Sequence, residues 1–194
     1  MLDDPIILQM PPDLQMTDEQ FFEFCQINRD LRIETNKFGE LLIMSPTGYE
    51  TGNRNLGIGA KLYFWAETEG TGIAFDSSTG FTLSTGAKKS PDASWIKLER
   101  WNSLSQEQKE KFAPICPDFV VELMSPSDSL KTLQAKMTEY MEEPGVKLGW
   151  LIDRKQQKVY IYRPGMPTEC LENPESVSGE PVLPGLVLNM QKVW

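Results

Sequence analysis

The order of secondary-structure signals predicts an α/β fold: one domain over 1–194, with helices packed on a central mixed β-sheet. Strand-like runs of period two are interleaved with helical stripes along the whole chain. The 194 residues suffice for one good core and fall short of two full domains, at roughly 100–200 residues per domain. Apolar residues make up 40% and charged residues 24%, the balance of a folded chain and not of wholesale disorder.

The elements follow in order. In "MTDEQFFEFCQIN", Thr17 and Gln20 have capping-box spacing, which predicts a helix over about 18–27. "LRIETN" and "GELLIMS" read as two short strands joined near Lys37-Phe38-Gly39, a hairpin. From about Glu50 to Glu69, Leu56, Ala60, Tyr63 and Phe64 recur at helical spacing and predict a longer helix. "GIAFDSSTGFTLSTGAKKSPDASWIKL" is turn-rich and β-branched, giving two or three strands that end in Asp92–Ile96. A short helix near 105–112 leads to a strand at 119–124.

"SDSLKTLQAKMTEYMEEPGV" carries one apolar stripe (Leu130, Leu133, Met137, Tyr140, Met141), with Ser127 or Asp128 as cap and Pro144-Gly145 as stop. "KLGWLID" and "KVYIYRP" flank Arg154–Gln157 as a second hairpin. Gly165 to Leu186, rich in Pro, Gly and Glu, reads as a tail lying loosely over the surface. No internal repeat and no interdomain linker is visible.

Composition narrows the chemistry. Histidine is absent, which excludes Ser-His-Asp hydrolases, Cys-His proteases, histidine-ligated zinc hydrolases and nucleases with a histidine base. Hydrolysis would then rest on carboxylates, lysine and a hard metal such as magnesium, which prefers oxygen ligands. Cys25, Cys116 and Cys170 are too few and too far apart for a disulfide framework or a zinc half-site. No basic segment precedes the first apolar residues, and no apolar window reaches the ~18 residues of a membrane span. A cytoplasmic location is the expectation.

The net charge of −9 is unevenly spread. Residues 1–30 hold seven acids and one base, and residues 164–194 hold four acids and one base. The middle of the chain is therefore neutral and free to present a basic surface. Lys88-Lys89 and the group Arg154, Lys155, Lys158 are the local candidates, and solvated loop charges are the plainer reading of each.

Within "PDFVVELMSPSD", alternation puts Val120, Glu122 and Met124 on one face and Phe119, Val121 and Leu123 on the other. Glu122 thus either looks out from an edge or meets a cation, since an unpaired buried charge costs several kcal/mol. On the preceding strand Asp92 shares a face with Ser94 and Ile96. Two carboxylates converging from neighbouring strands are tolerated if one is protonated or a cation lies between them. At ~100° per residue, Lys136 lies nearest the middle of its helix's apolar stripe, aimed back at Glu122. The plainer reading makes it a boundary lysine snorkelling over the core. Glu50 stands near the start of the long helix, where a carboxylate is also favoured by the helix dipole.

"SPD" at 90–92, "PDFVVELMSPSD" at 117–128 and "KMTEYMEEPGVKLGWLID" at 136–153 together resemble the Uma-type restriction endonucleases, of the P-D…(D/E)-x-K nuclease superfamily. The resemblance covers about 40–165, which would form the nuclease core between an acidic N-terminal extension and the C-terminal tail. It implies a restriction-endonuclease-like fold and an Mg²⁺-dependent (or Mn²⁺-dependent) endonuclease with DNA as substrate. It implies that Asp92, Glu122 and the main-chain carbonyl of Leu123 hold the metal. Glu50 would match an acid that some members carry on the first core helix. The superfamily lysine falls two residues after the acid, where this chain has Met124. Lys136 is assigned the role instead, as a relocated lysine. Because one such site cuts one strand, a homodimer is expected. The rival reading is a catalytically inactive module of the same fold that binds a protein or nucleic-acid partner, which Met124 and the net acidity favour.

Overall fold

The computed structural model describes residues 5–194. Strand β1 (Ile6–Leu8) is followed by α1 (Asp18–Ile27) and the hairpin β2 (Arg32–Thr35) and β3 (Leu41–Met44). Thr17 Oγ1 accepts the Gln20 N–H, and the Gln20 side chain accepts the Thr17 N–H, closing the reciprocal cap written in the sequence. β1, β3 and β2 form a small antiparallel sheet covered by Phe21 of α1, with Ile33 and Leu41 beneath it.

The long helix α2 (Tyr49–Glu69) ends at Gly70, whose φ of +64° only glycine adopts cheaply. Then come β4 (Gly72–Asp76), the short pair β5 (Phe81–Thr82) and β6 (Lys88–Lys89), and β7 (Ala93–Lys97). Two short helices, α3 (Leu98–Asn102) and α4 (Gln106–Lys109), lead to β8 (Phe119–Leu123). Helix α5 (Leu130–Met141), β9 (Leu148–Asp153), β10 (Lys158–Tyr162), β11 (Glu169–Glu172), β12 (Ser176–Ser178) and β13 (Val187–Asn189) complete the chain.

The central sheet has the order β11-β10-β9-β8-β7-β4. Only β8 and β9 are parallel, so the sheet is mixed, and α5 is the crossover that a parallel neighbour requires. Both faces are covered. Phe119, Val121 and Leu123 pack toward α2 with Trp65 and Trp150, while Val120 packs toward α5 with Met137 and Tyr140. A strand buried on both faces reads as a continuous apolar run, which is what 119–124 shows. Gly149 sets how close α5 lies to the sheet: a Cβ there would overlap the ends of Met137 and Met141.

The helix expected over about 50–69 forms, and two other expectations, the cap of α5 and the loose tail, need correction. Helix α2 buries Ile58, Leu62, Trp65 and Ala66, and leaves Leu56, Tyr63 and Phe64 exposed. The helix is apolar on both sides, so periodicity alone does not choose between its two stripes. At the start of α5, Asp128 closes the strand-to-helix turn by accepting the Ser125 N–H at 2.7 Å, and Ser129 stands at the N-cap with no side-chain bond. The C-terminal segment is not loose. β11 extends the sheet, and Leu183, Leu186, Leu188, Met190 and Val193 are buried in the α2-side core. Each such side chain contributes about 1.5–3 kcal/mol on burial, so Pro and Gly there mark turns and not looseness.

Candidate active site

Strands β7 and β8 bring the two predicted acids together. They pair antiparallel with Ala93 opposite Val121, and continuing that register sets Asp92 opposite Glu122. Opposed residues of an antiparallel pair point to the same face. That face is the α5 side, where Glu122 is 3% exposed.

The next rung explains Pro91. Leu123 donates its N–H to Asp92 Oδ2 at 2.8 Å. An extended residue points its N–H and C=O to the same edge, so the Leu123 carbonyl also faces the Asp92 side. Its rung partner there would be Pro91, which has no N–H to give. The "SPD" sequence thus leaves this carbonyl without a ladder donor, beside the two carboxylates.

Helix α5 supplies the lysine. Lys136 Nζ lies 2.8 Å from Glu122 Oε1 and 2.9 Å from Glu34 Oε1, with its side chain 12% exposed. The lysine therefore meets the acid that helical periodicity aimed it at. Tyr140, one turn on, donates its hydroxyl to Glu122 Oε1 at 3.1 Å.

Glu34 is the residue that sequence reasoning missed. It comes from β2, is 3% exposed, and accepts the Ser90 N–H at 3.1 Å besides holding Lys136. Its neighbour Arg32 donates to the Ser90 carbonyl at 2.6 Å and lies 3.5 Å from Asp92 Oδ1. The hairpin is pinned to the segment entering β7, since Lys88 N–H also donates to Thr35 Oγ1 at 2.9 Å. From α2 the side chain reaching Asp92 is Asn55, at 3.1 Å.

Electrostatics follow from this packing. Burial pushes the Glu122 carboxyl up to about 7; Lys136 pulls against that, and Asp92 and Glu34 add to it. Burial also acts to raise Glu34, yet Lys136, Lys89 and Arg32 outweigh it and hold Glu34 below the usual carboxylate range. Burial disfavours the Lys136 cation, but Glu122 and Glu34 more than offset this and raise its pKa. When all three carboxylates (Glu34, Asp92, Glu122) are ionised they outnumber the two cations (Arg32, Lys136) by one, and protonation of Glu122, whose carboxyl stands at about 7, cancels that excess.

The other candidates have partners of their own. Glu50 is exposed and pairs with Arg154 at 3.0 Å. The second Pro-Asp pair is structural: Asp118 is fully buried at the opposite end of β8, accepting from the Lys97 N–H and from Arg100. Lys88 and Lys89 are buried and paired with Asp18 and Glu139, which removes them as an open basic patch. A two-residue strand folded under the hairpin has no outer face to show. Lys158 is matched by Glu172 at 2.9 Å.

The donors at this point are all oxygens: Asp92, Glu122, the Leu123 carbonyl, and the buried, unpartnered Asn55 Oδ1 near Asp92. Hard oxygen donors fit Mg²⁺ or Mn²⁺ and not soft metals. Among the described residues no three His, Cys, Asp or Glu side chains gather as a metal-binding group. Two carboxylates and a carbonyl would suffice, because Mg²⁺ usually keeps several waters.

A protein-family model, Uma2, described as "Putative restriction endonuclease", matches residues 18–191. The match extends beyond 40–165 at both ends and takes in the hairpin that carries Glu34. No curated protein matches the chain. One solved structure, a "putative nuclease belonging to DUF820" from Anabaena variabilis ATCC 29413, has a TM-score of 0.71 at 20% identity, covering 92% of this chain and 97% of that one. At that identity the likeness is one of fold. No helix among the described residues is long and apolar enough to cross a membrane.

Proposed function

The chain belongs to the Uma2 family of nuclease-type proteins, and from that membership we propose that it is a metal-dependent endonuclease hydrolysing phosphodiester bonds in DNA. The observation that carries the proposal is the meeting of Asp92, Glu122 and the donor-free Leu123 carbonyl at one end of the β7–β8 pair, with Lys136 2.8 Å from Glu122. A binding module gains nothing from burying two acids face to face.

Asp92, Glu122 and the Leu123 carbonyl would hold Mg²⁺ or Mn²⁺. Bound there, the ion supplies Lewis acidity at a phosphate oxygen and lowers the pKa of water. The rest falls to the chain. Lys136 has three N–H donors, and Glu122 and Glu34 engage two of them at full strength. The third meets only the Ser90 carbonyl, at 3.5 Å, and can turn to the attacking water or to charge developing on the phosphate. Arg32, with its side chain 35% exposed beside Asp92, can meet a non-bridging oxygen. With Glu122 ionised the site would carry one net negative charge, and Asp92 and Glu122 would hold a divalent cation that reverses it and favours approach of a polyanion.

Because one site cuts one strand, the working unit for double-strand cleavage is a homodimer. Plasmid cleavage with and without Mg²⁺, on wild type and Asp92→Asn, tests the reading. Cleavage that needs the metal and is lost in Asp92→Asn supports it. A chain that binds DNA with no metal-dependent cleavage is the non-catalytic module instead.

A further inference from the structure

Helix α2 is apolar on two opposite sides. Its inner side is Ile58, Leu62, Trp65 and Ala66 in the core. Its outer side carries Tyr49 at 99%, Leu56 at 71%, Tyr63 at 50% and Phe64 at 68% exposure, with Ala60 between them. At 100° per residue all five fall within about a third of the helix circumference, an arc they share with exposed Asn53 and Glu67. Between the two stripes run charged residues, Arg54 and Lys61 among them, so the outer stripe is a separate apolar face.

We propose that this outer face is the contact between two copies of the chain, with the two α2 helices antiparallel across a two-fold axis. Area is the first argument. Aromatic side chains present roughly 150–250 Å² each, so these exposures offer about 400–650 Å² of apolar surface including Leu56. A standard interface buries about 800 Å² per partner, and about 56–65% of that is apolar, close to the same amount.

Self-complementarity is the second argument. A two-fold contact requires one patch to fit itself. Set antiparallel about the level of Ile58, Leu56 meets Ala60, Phe64 meets Gly52, Tyr63 meets Asn53, and Tyr49 meets Glu67. Leu56, Tyr63 and Phe64 thus come level with smaller residues, while Gly57 and Gly59 lie on the two flanks of the stripe, about 80° from its middle. Within one chain a Cβ at Gly57 or Gly59 would touch nothing within 4 Å, so internal packing does not require either glycine. Glycine is unfavourable in a helix interior relative to alanine, and a second helix lying on the stripe would pass beside both.

The inference names the partner surface of the proposed endonuclease and deepens that reading, since Asn55 on the same helix touches Asp92. Its test reads mass alone. Sedimentation velocity of the full chain at ~1–100 μM should show a species of twice 22.0 kDa for wild type. Leu56→Glu with Phe64→Glu, both solvent-facing in the single chain, should sediment as monomer, with at least a 100-fold weaker dissociation constant and an unchanged far-UV circular dichroism spectrum. Gly57→Leu, which only crowds the contact, should weaken the dimer without touching the core. A wild type that stays monomeric at 100 μM overturns the proposal, as does a dimer that survives all of these substitutions. Either result leaves metal-dependent cleavage, measured separately, to stand or fall by itself.

Discussion

Glu34 and Lys136 are 102 residues apart in sequence and 2.9 Å apart in space, and both are almost removed from water. The pair ties the N-terminal hairpin to the helix that faces the candidate metal ligands. Its breakage has a definite cost. Removing one partner of a buried ion pair typically loses 3–5 kcal/mol, and the second partner, Glu122, should limit the loss here to about 2–4 kcal/mol. Urea unfolding of Glu34→Ala measures it. A loss under about 0.5 kcal/mol would mean the hairpin does not hold Lys136.

Metal affinity should depend on pH with a known sign. Glu122 stands at about 7, above its ordinary value of 4.5. A protonated carboxyl cannot ligate, so Mg²⁺ affinity should fall about tenfold for each pH unit below 7 and level off above it. Calorimetry at pH 6, 7 and 8 gives the slope, and Glu122→Gln should bind weakly and without that slope. Without metal the linkage has the opposite use. The folded state holds a proton the unfolded state releases, so the stability that Glu122 contributes falls as pH rises from about 4.5 through about 7.

Lys136→Ala should lower single-turnover cleavage by roughly 10²-fold or more, the scale for losing a positioned catalytic group. Met124→Lys in that background should restore part of the rate, because residue 124 follows Glu122 on the same strand face. Full activity in Lys136→Ala alongside a dead Asp92→Ala would reduce the lysine to packing.

Charge reversal at Lys89 should unfold the protein before it affects DNA binding. Its side chain is 5% exposed and pairs with Glu139 at 3.0 Å, so Lys89→Glu sets two acids together in a buried place. Thermal melts should fall by several degrees or more, with a comparable salt slope for DNA in whatever fraction stays folded. An unchanged melt with a weakened salt slope would restore Lys89 to an open surface.

Asp92, Glu122 and Lys136 were legible because local periodicity carries them. Strand alternation fixes the face of each acid, and helical spacing fixes the direction of the lysine. Glu34 and Arg32 were not, since their place depends on a hairpin docking 56–58 residues along the chain, at Ser90. One signal was present: in "RIET" both charges share a side of a strand whose Ile33 faces a core. The helix α2 was legible, but not which side it buries, since two apolar stripes compete on it. The tail was misread because composition reports turns well and burial poorly.

The last strands have a consequence for the order in which the molecule can be made. Leu183, Leu186, Leu188, Met190 and Val193 cover Ile58, Leu62 and Trp65, which leave the ribosome more than a hundred residues earlier. At about 5–20 residues per second, that interval lasts roughly 6–25 s. Throughout it the core between α2 and the sheet lacks the part of its cover that these residues supply. A nascent chain stalled before residue 183 should be cut readily by proteases, and one extended past 193 should resist them.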